Sequence, residues 1–180
     1  MGRGEVGRIE VGYVGSVVYA GVLQDQIGRF RRSHPDVEVV VRSLPIAEVP
    51  GMLEAGSLDV GFVRLPMDLP TSLRRHALAE DDYCLALPAD HPEAGPVGPV
   101  RPSRLRAEPF VVPEHTSGTD EVARRGRFSA QGVASPGNLA AVLPQVSLGH
   151  GVAVVPCVVA EAIRLPPSCS KPSLGTLQLG

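Results

Sequence analysis

The 180-residue sequence contains no tryptophan, and aromatic residues make up only 4 % of it. Proteins that hold single-stranded nucleic acid stack the bases on aromatic side chains, so this composition disfavours that class. The formal net charge is −2, whereas a DNA-binding surface needs an excess of lysine and arginine along the phosphates. We therefore expect this chain alone not to bind DNA specifically.

Cysteine is also scarce, and the spacing of Cys84, Cys157 and Cys169 matches no paired motif. We expect three reduced thiols, two of them in the core, in a cytoplasmic protein. No apolar run is long enough to span a bilayer, and the N-terminus has no signal-peptide core, so no membrane association is expected. The zinc-protease, CxxC, serine-hydrolase and Walker motifs are all missing, so we predict neither an enzyme nor a metal or cofactor site.

The most informative stretch that is present runs from Arg8 to Phe30. Its first residues alternate between apolar and polar, which predicts a strand. Apolar residues then recur at spacings of four, four and three, which predicts a helix with one apolar stripe: Tyr19, Leu23, Ile27 and Phe30. Gly15 and Ser16 lie between the two, with Ser16 at the expected N-cap. Ligands of open α/β sheets bind at such strand-to-helix turns, so we take this turn as one wall of a site.

Strands and helices continue to alternate up to residue 63. Val37–Val41 is a β-branched run typical of a strand buried on both faces. A helix over Ala47–Ala55 should end at Gly56, and Leu58–Val63 predicts a third strand. This order predicts a parallel sheet with right-handed crossovers.

Beyond residue 70 the pattern is less regular. Asn138 is expected to cap a helix in which Pro144 causes a kink or a late start. The predicted strands are Leu73–Leu78, Tyr83–Leu87, Phe110–Val112, Ala130–Ala134, Gly151–Pro156 and Thr176–Leu179, and the predicted helices are Thr119–Phe128, Asn138–Leu148 and Val158–Ile163.

Six short motifs follow one another over residues 6–163, and their order and spacing are typical of a known protein family. They are RIEVGYVGS (8–16), FRRSHPDV (30–37), LEAGSLDVGFVR (53–64), LPADHP (87–92), EPFVV (108–112) and LGHGVAVVP (148–156). In this order the chain resembles the effector-binding domain of a LysR-type transcriptional regulator.

The resemblance implies a two-lobed, periplasmic-binding-protein-like (type 2) α/β fold. Each lobe would be a mainly parallel sheet flanked by helices, with an effector cleft between the lobes. Residues 6–78 and 152–180 would form lobe I, and residues 79–151 lobe II. The family's N-terminal winged helix-turn-helix is expected to be absent from this chain.

The resemblance also implies an effector-binding set: Ser16, Pro45, Ile46, Arg64, Pro113, His115 and Thr116. Ser16 would meet a carboxylate, although a plain helix cap explains the same residue. Arg64 would pair an acid bidentately, but a structural salt bridge to the acidic turn at 80–82 is equally consistent. The pair Pro45-Ile46 replaces the family's second polar contact and predicts an apolar wall, and His115 is open to the interpretation of a solvated loop residue.

The implied partners are a small organic-acid effector and further copies of the chain, as a homodimer or homotetramer. Promoter DNA would be bound only through the missing N-terminal domain. The expected dimer interface comprises Val18, Val22, Gln26, Leu139 and Leu143, although internal core packing would also explain their apolar members.

Two other functions remain open on this scaffold. A solute-binding protein of a transporter shares the architecture, and an enzyme on a two-lobed α/β fold is not excluded by fold alone.

Overall fold

The computed structural model describes residues 7–94 and 100–163, together with the backbone of 173–176. The chain divides into two compact units, Met1–Ala79 and Glu80–Gly180, here called the first and second unit. The first unit contains β1 (Arg8–Tyr13), α1 (Gly15–Tyr19), α2 (Val22–Ser33), β2 (Glu38–Ser43), α3 (Val49–Glu54) and β3 (Val60–Phe62). The second contains β4 (Tyr83–Leu87), β5 (Pro109–Val111), α4 (Ser117–Gly126), β6 (Gln131–Ala134), α5 (Leu139–Ser147), β7 (Ala153–Pro156), α6 (Cys157–Ala162) and β8 (Ser173–Thr176).

The sheet of the first unit has the order β2-β1-β3, and both pairings are parallel. The register aligns Tyr13 of β1 with Ser43 of β2 and with Phe62 of β3. The predicted parallel sheet is thus confirmed, and its three strands end along one edge. Val11, Val49 and Leu58 are among the buried core residues between this sheet and the helices.

The helix predicted after Ser16 is broken in two. Gly21 adopts a left-handed conformation with φ +71° and separates α1 from α2, a conformation that glycine adopts without the steric cost of a side chain. Leu23 of the predicted apolar stripe is buried, while Ile27 and Phe30 are half-buried.

β2 is not buried on both faces, contrary to expectation. Its central residues Val39, Val40 and Val41 are each half-buried. The strand lies at one end of the sheet order and pairs only with β1 among the described strands. An edge position leaves one side of a strand uncovered, which a β-branched run by itself does not reveal.

The second unit has a different sheet. β4 lies between β7 and β8 and pairs antiparallel with both, while β5 and β6 form a short parallel pair. The expectation of a mainly parallel sheet in each lobe therefore holds in the first unit but not for β4, β7 and β8. The strand predicted over Leu73–Leu78 is not formed.

Residues 152–163 belong to the second unit, whereas the sequence placed them in lobe I. The reason is the pairing of β7 with β4, in which Cys84 opposes Val155 and Ala86 opposes Ala153. β8 is held on the other side of β4 in the same way. The motif GVAVVP is thus part of the second unit's core and does not return the chain to the first.

Cys84 and Cys157 form a disulfide with Cα atoms 4.9 Å apart. The prediction that these two cysteines are reduced thiols is therefore wrong for the structure. Seventy-three positions separate them in the sequence, and only the β4–β7 pairing brings them together. Cys169 lies outside the described residues.

The predicted cap of α5 is confirmed. The Asn138 side chain accepts a hydrogen bond from the Ala141 amide at 2.9 Å and caps the helix. Pro144 lies inside the helix, which nevertheless begins directly after Asn138 and not late. No helix in the described part of the chain is long and apolar enough to span a bilayer.

Candidate functional site

The turn from β1 to α1 places Ser16 in the interior of the first unit. The N-cap of α1 is the extended residue Val14. The prediction that Ser16 is the cap is therefore wrong, because Ser16 is the second residue of the helix. Its exposed fraction is 9 %. Its hydroxyl has no hydrogen-bonding partner among the residues that the structure describes, which leaves a donor and acceptor at the end of β1.

The second strand-to-helix turn lies beside the first. The Leu44 amide donates to the Tyr13 carbonyl at 2.9 Å, which continues the β1–β2 pairing into the turn. Pro45 is exposed and Ile46 is half-buried, and Ile46 packs against the unit's core. This turn thus offers apolar side chains, as the sequence predicted.

The third turn follows β3 at the same edge of the sheet. The Val14 amide donates to the Phe62 carbonyl at 3.1 Å, so the end of β3 is bonded to the start of the Ser16 turn. Arg64 comes two residues later and is half-buried. The structure thus brings the turns that carry Ser16, Pro45 and Arg64 to one edge of the sheet, as a parallel register requires.

The predicted residues of the second unit lie between β5 and α4. Pro113 is buried, His115 is half-buried and Thr116 is exposed. The Thr116 hydroxyl donates to the Asp120 carboxylate at 2.6 Å. Because this hydroxyl already donates to Asp120, it is a weaker candidate to donate a hydrogen bond to an effector.

Three residues at or against the start of α4 were not predicted from the sequence as candidate site residues. The hydroxyls of Tyr83 and Ser117 are hydrogen-bonded at 2.6 Å. Thr119 is 2 % exposed, and its hydroxyl has no partner within the described ranges. A buried hydroxyl without a partner costs free energy. A tyrosine predicted only as a strand residue gave no signal of this contact.

Charges on α4 are paired among themselves. Hydrogen bonds from Arg124 and from Arg125 hold the pKa of Glu121 down at about 2. The carboxylate is thus ionised at neutral pH and fully engaged on the helix surface. It is not a candidate acid or base.

The residues predicted for a dimer interface differ in exposure. Val18, Val22, Gln26 and Leu139 are half-buried. Leu143 is 1 % exposed and lies in the core of the second unit. For Leu143 the alternative of internal packing is therefore correct, because a buried side chain presents no surface to a second copy.

Neither His150 nor the arrangement of acidic side chains indicates a catalytic or metal-binding site. His150 is exposed and bonds the Gln145 side chain through Nδ1. Among the residues that the structure describes, no three His, Cys, Asp or Glu side chains are placed to hold a metal ion.

Comparison with known proteins decides the family. The family model described as the LysR substrate binding domain matches residues 2–168. The chain belongs to this family. The recognised motifs are therefore confirmed as marks of a LysR substrate-binding domain.

Curated relatives of this LysR domain are named as transcriptional regulators, not enzymes. The HTH-type transcriptional regulator XapR of Escherichia coli K12 is 31 % identical over 159 residues, which are 86 % of this chain and 53 % of XapR. The uncharacterized HTH-type transcriptional regulator YnfL of the same strain is 29 % identical over 160 residues, with the same coverage. The chain thus spans about half the length of these relatives.

Solved LysR domains share the fold. The C-terminal domain of a probable LysR family regulator from Rhodococcus sp. RHA1 has a TM-score of 0.79 at 23 % identity, over 97 % of this chain and 85 % of that one. The BenM effector-binding domain with its effector benzoate has a TM-score of 0.73 at 20 % identity, over 95 % and 77 %. The QuiR effector-binding domain with shikimate has 0.75 at 14 %, over 98 % and 90 %. The two-lobed type 2 periplasmic-binding-like α/β fold is therefore confirmed for this LysR domain.

Proposed function

We propose that this chain is the effector-sensing domain of a LysR-type transcriptional regulator and that it binds a small organic acid with Ser16 as its anchor. The observation that carries the proposal is the position of Ser16 at the edge where the three parallel strands end. The residue is 9 % exposed, and its hydroxyl makes no hydrogen bond to the residues that the structure describes. A ligand oxygen would satisfy this hydroxyl.

The chemistry of the turn favours an anion. The first amides of α1, including those of Gly15 and Ser16, lack carbonyl partners within the helix. These N–H groups and the Ser16 hydroxyl are all donors, and a carboxylate is the small group best suited to accept several donors together. Arg64, which follows the neighbouring strand, would add charge near the same edge.

The rest of the edge favours an apolar body on the acid. Pro45 and Ile46 place apolar side chains in the second turn. A site that joins a few polar groups to an apolar wall suits a ring or a short alkyl chain. Benzoate and shikimate, which occupy BenM and QuiR, are both ring carboxylates and support this choice of class.

The second unit's contribution remains a prediction. Pro113, His115 and Thr116 are proposed as further effector contacts. We also propose that the regulator works in the cytoplasm as a homodimer or homotetramer, through surfaces that include Val18, Val22, Gln26 and Leu139, and that it reaches promoter DNA through an N-terminal domain. No observation favours a solute-binding protein or an enzyme over this function.

Calorimetry on purified protein tests the anchor. A panel of aromatic and aliphatic carboxylates that includes benzoate and shikimate is titrated into the unsubstituted protein, Ser16→Ala and Ser16→Glu. Loss of one hydrogen bond is worth about 1 kcal/mol, so Ser16→Ala should weaken binding several-fold. Ser16→Glu should abolish it, because its charge occupies the position of the acid.

Ser129→Ala is the matched control, since Ser129 is exposed on a loop of the second unit. It should leave the affinity unchanged. Equal affinities in all four proteins would show that Ser16 is not the anchor. A panel in which no carboxylate binds would reject the proposed effector class.

A further inference from the structure

The disulfide of the second unit and a backbone hydrogen bond beside it hold the two neighbours of Tyr83. Cys84 follows Tyr83 on β4 and is bonded covalently to Cys157. Asp82 precedes Tyr83, and its carbonyl accepts a hydrogen bond from the Cys157 amide at 2.9 Å. The residues before and after Tyr83 are therefore both bonded to Cys157, the first residue of α6.

Tyr83 in turn contacts the start of α4. Its hydroxyl is hydrogen-bonded to that of Ser117 at 2.6 Å. Its ring lies so close to Gly118 that a Cβ atom added there would stand 2.8 Å from the Cδ1 and Cε1 atoms. An unbroken series of contacts thus leads from the disulfide through Tyr83 to the first turn of α4.

The two cysteines lie on elements that are held in place to different degrees. Cys84 is 8 % exposed and lies on the central strand, which is paired on both sides. Cys157 is half-buried and begins a six-residue helix without a side-chain cap. Once the covalent bond is broken, the sulfurs must separate to van der Waals contact. α6 is the element that moves, because β4 is fixed by two neighbouring strands.

We propose that Cys84 and Cys157 form a reversible thiol–disulfide switch that sets the position of Tyr83 and, through it, of the start of α4. Disulfides in reducing compartments are in general transient, catalytic or redox-sensing and not permanent. The proposed cytoplasmic location would expose this pair to that environment.

The switching reaction is thiol–disulfide exchange with a low-molecular-weight thiol of the glutathione class. Its thiolate attacks Sγ of Cys157, the more accessible partner, and the Cys84 sulfur leaves as a thiolate that takes a proton from water. A second small thiol attacks the mixed disulfide at the small-molecule sulfur and releases Cys157. Two small thiols thus supply two electrons and two protons, and leave as one disulfide.

The consequence for sensing rests on the proposed function, because His115 and Thr116 are proposed effector contacts just before α4. With the disulfide intact, Tyr83 holds the first turn of α4 in place and preorganises this segment. The test below uses no effector. Its failure would therefore leave the proposed function standing, and the reverse also holds.

The experiment follows the protein in glutathione buffers of varied reduced-to-oxidised ratio, on a Cys169→Ser background so that every counted thiol belongs to the pair. Alkylation and intact mass measure the fraction reduced. Ring-labelled tyrosine NMR and amide hydrogen exchange report Tyr83 and the amides of residues 117–119. We expect reversible titration, a shift of the Tyr83 signal without one for Tyr13 or Tyr19, and exchange at 117–119 at least about fivefold faster when reduced.

Three variants separate the switch from a purely structural cross-link. The double variant Cys84→Ala, Cys157→Ala should show the reduced pattern at every ratio. Tyr83→Phe should keep the thiol titration while exchange at 117–119 no longer follows it, because the Ser117 bond is gone. Tyr19→Phe in the first unit should behave like the background.

Several outcomes would overturn the proposal. One is a pair that glutathione does not reduce while the protein stays folded. Another is a reversible pair that leaves Tyr83 and residues 117–119 unchanged. A third is unfolding of the second unit on reduction, seen as loss of its dispersed amide signals, which would show a structural cross-link only.

Discussion

The two units of this chain are packed very differently. Among the residues that the structure describes, fourteen valine, leucine and phenylalanine side chains are less than 2 % exposed, and only Val49 of these belongs to the first unit. β4 of the second unit is covered on both faces, with Cys84 and Ala86 in one apolar cluster and Leu85 and Leu87 in another. β2 of the first unit is half-buried along its centre.

The difference indicates where each unit obtains its stability. The second unit combines two apolar clusters with a covalent cross-link. The first relies on one cluster and a three-stranded sheet. Elements with few fully buried contacts open more easily, and the proposed anchor Ser16 lies in the less densely packed unit. We expect ligand binding to stabilise the first unit more than the second.

Loss of the disulfide should have the largest effect on the difference in stability between the two units. Closing a loop of 73 residues is worth about 4 kcal/mol in the chain-entropy account. Cys157→Ser should therefore lower the free energy of unfolding of the second unit by roughly this amount. Amide exchange resolved by residue would show it: protection of β4 and β7 falls, while that of β1 stays constant. Equal losses in both units would mean that they unfold as one.

A pair of glycine substitutions should act in opposite directions in the two units. A Cβ atom at Gly118 would stand 2.8 Å from the Tyr83 ring and from Val154, whereas nothing lies within 4 Å of one at Gly51. Gly118→Ala should destabilise the protein by about 1–3 kcal/mol through overpacking. Gly51→Ala in α3 should stabilise it by about 0.5–1 kcal/mol, since alanine favours the helix.

Denaturant unfolding of both variants measures the two effects. We expect the denaturant concentration at the unfolding midpoint to fall for Gly118→Ala and to rise for Gly51→Ala. A neutral Gly118→Ala would contradict the close contact between Tyr83 and α4.

The smallest effect concerns Glu121 on α4. Its pKa is held at about 2, below the ordinary 4.5, by hydrogen bonds from Arg124 and Arg125. A lowered native pKa gives stability that is present above the unfolded pKa and is lost as pH falls from about 4.5 towards 2. Glu121→Gln should cost under about 1 kcal/mol at pH 7, because the group is near the surface.

Unfolding at pH 7, 4 and 2 would reveal this dependence. The deficit of Glu121→Gln should shrink steadily across the series. Ser129→Ala, at an exposed position outside α4 and without an ionisable side chain, is the control and should show no such trend. A deficit that stays constant to pH 2 would show that the arginine contacts do not set the pKa.

Local signals in the sequence predicted local structure well. The alternation of β1, the run at β4 and the Asn138 cap each depend on neighbours within a few residues, and each is found in the structure. The ordered motifs predicted the family, and the family determined the two-lobed fold.

Features that depend on distant partners were missed. The Cys84–Cys157 bond and the Tyr83–Ser117 contact join residues 73 and 34 positions apart, and no periodicity encodes them. The same reason explains why β7 was assigned to the wrong unit. Its apolar run is compatible with either unit, and only the pairing with β4 determines which one it joins. Ser16 was predicted at the right turn but as a cap, because the sequence does not reveal that Val14 takes that role.

The most direct test of the central claim, that Ser16 anchors an organic acid, is amide NMR of the labelled protein titrated with the carboxylate panel. The account predicts that a binding member shifts the amides of Gly15, Ser16 and Val17 most within the first unit. The shifts should weaken in Ser16→Ala in step with the affinity. Saturable binding that leaves these three amides unmoved, or that is the same in Ser16→Ala, would contradict it.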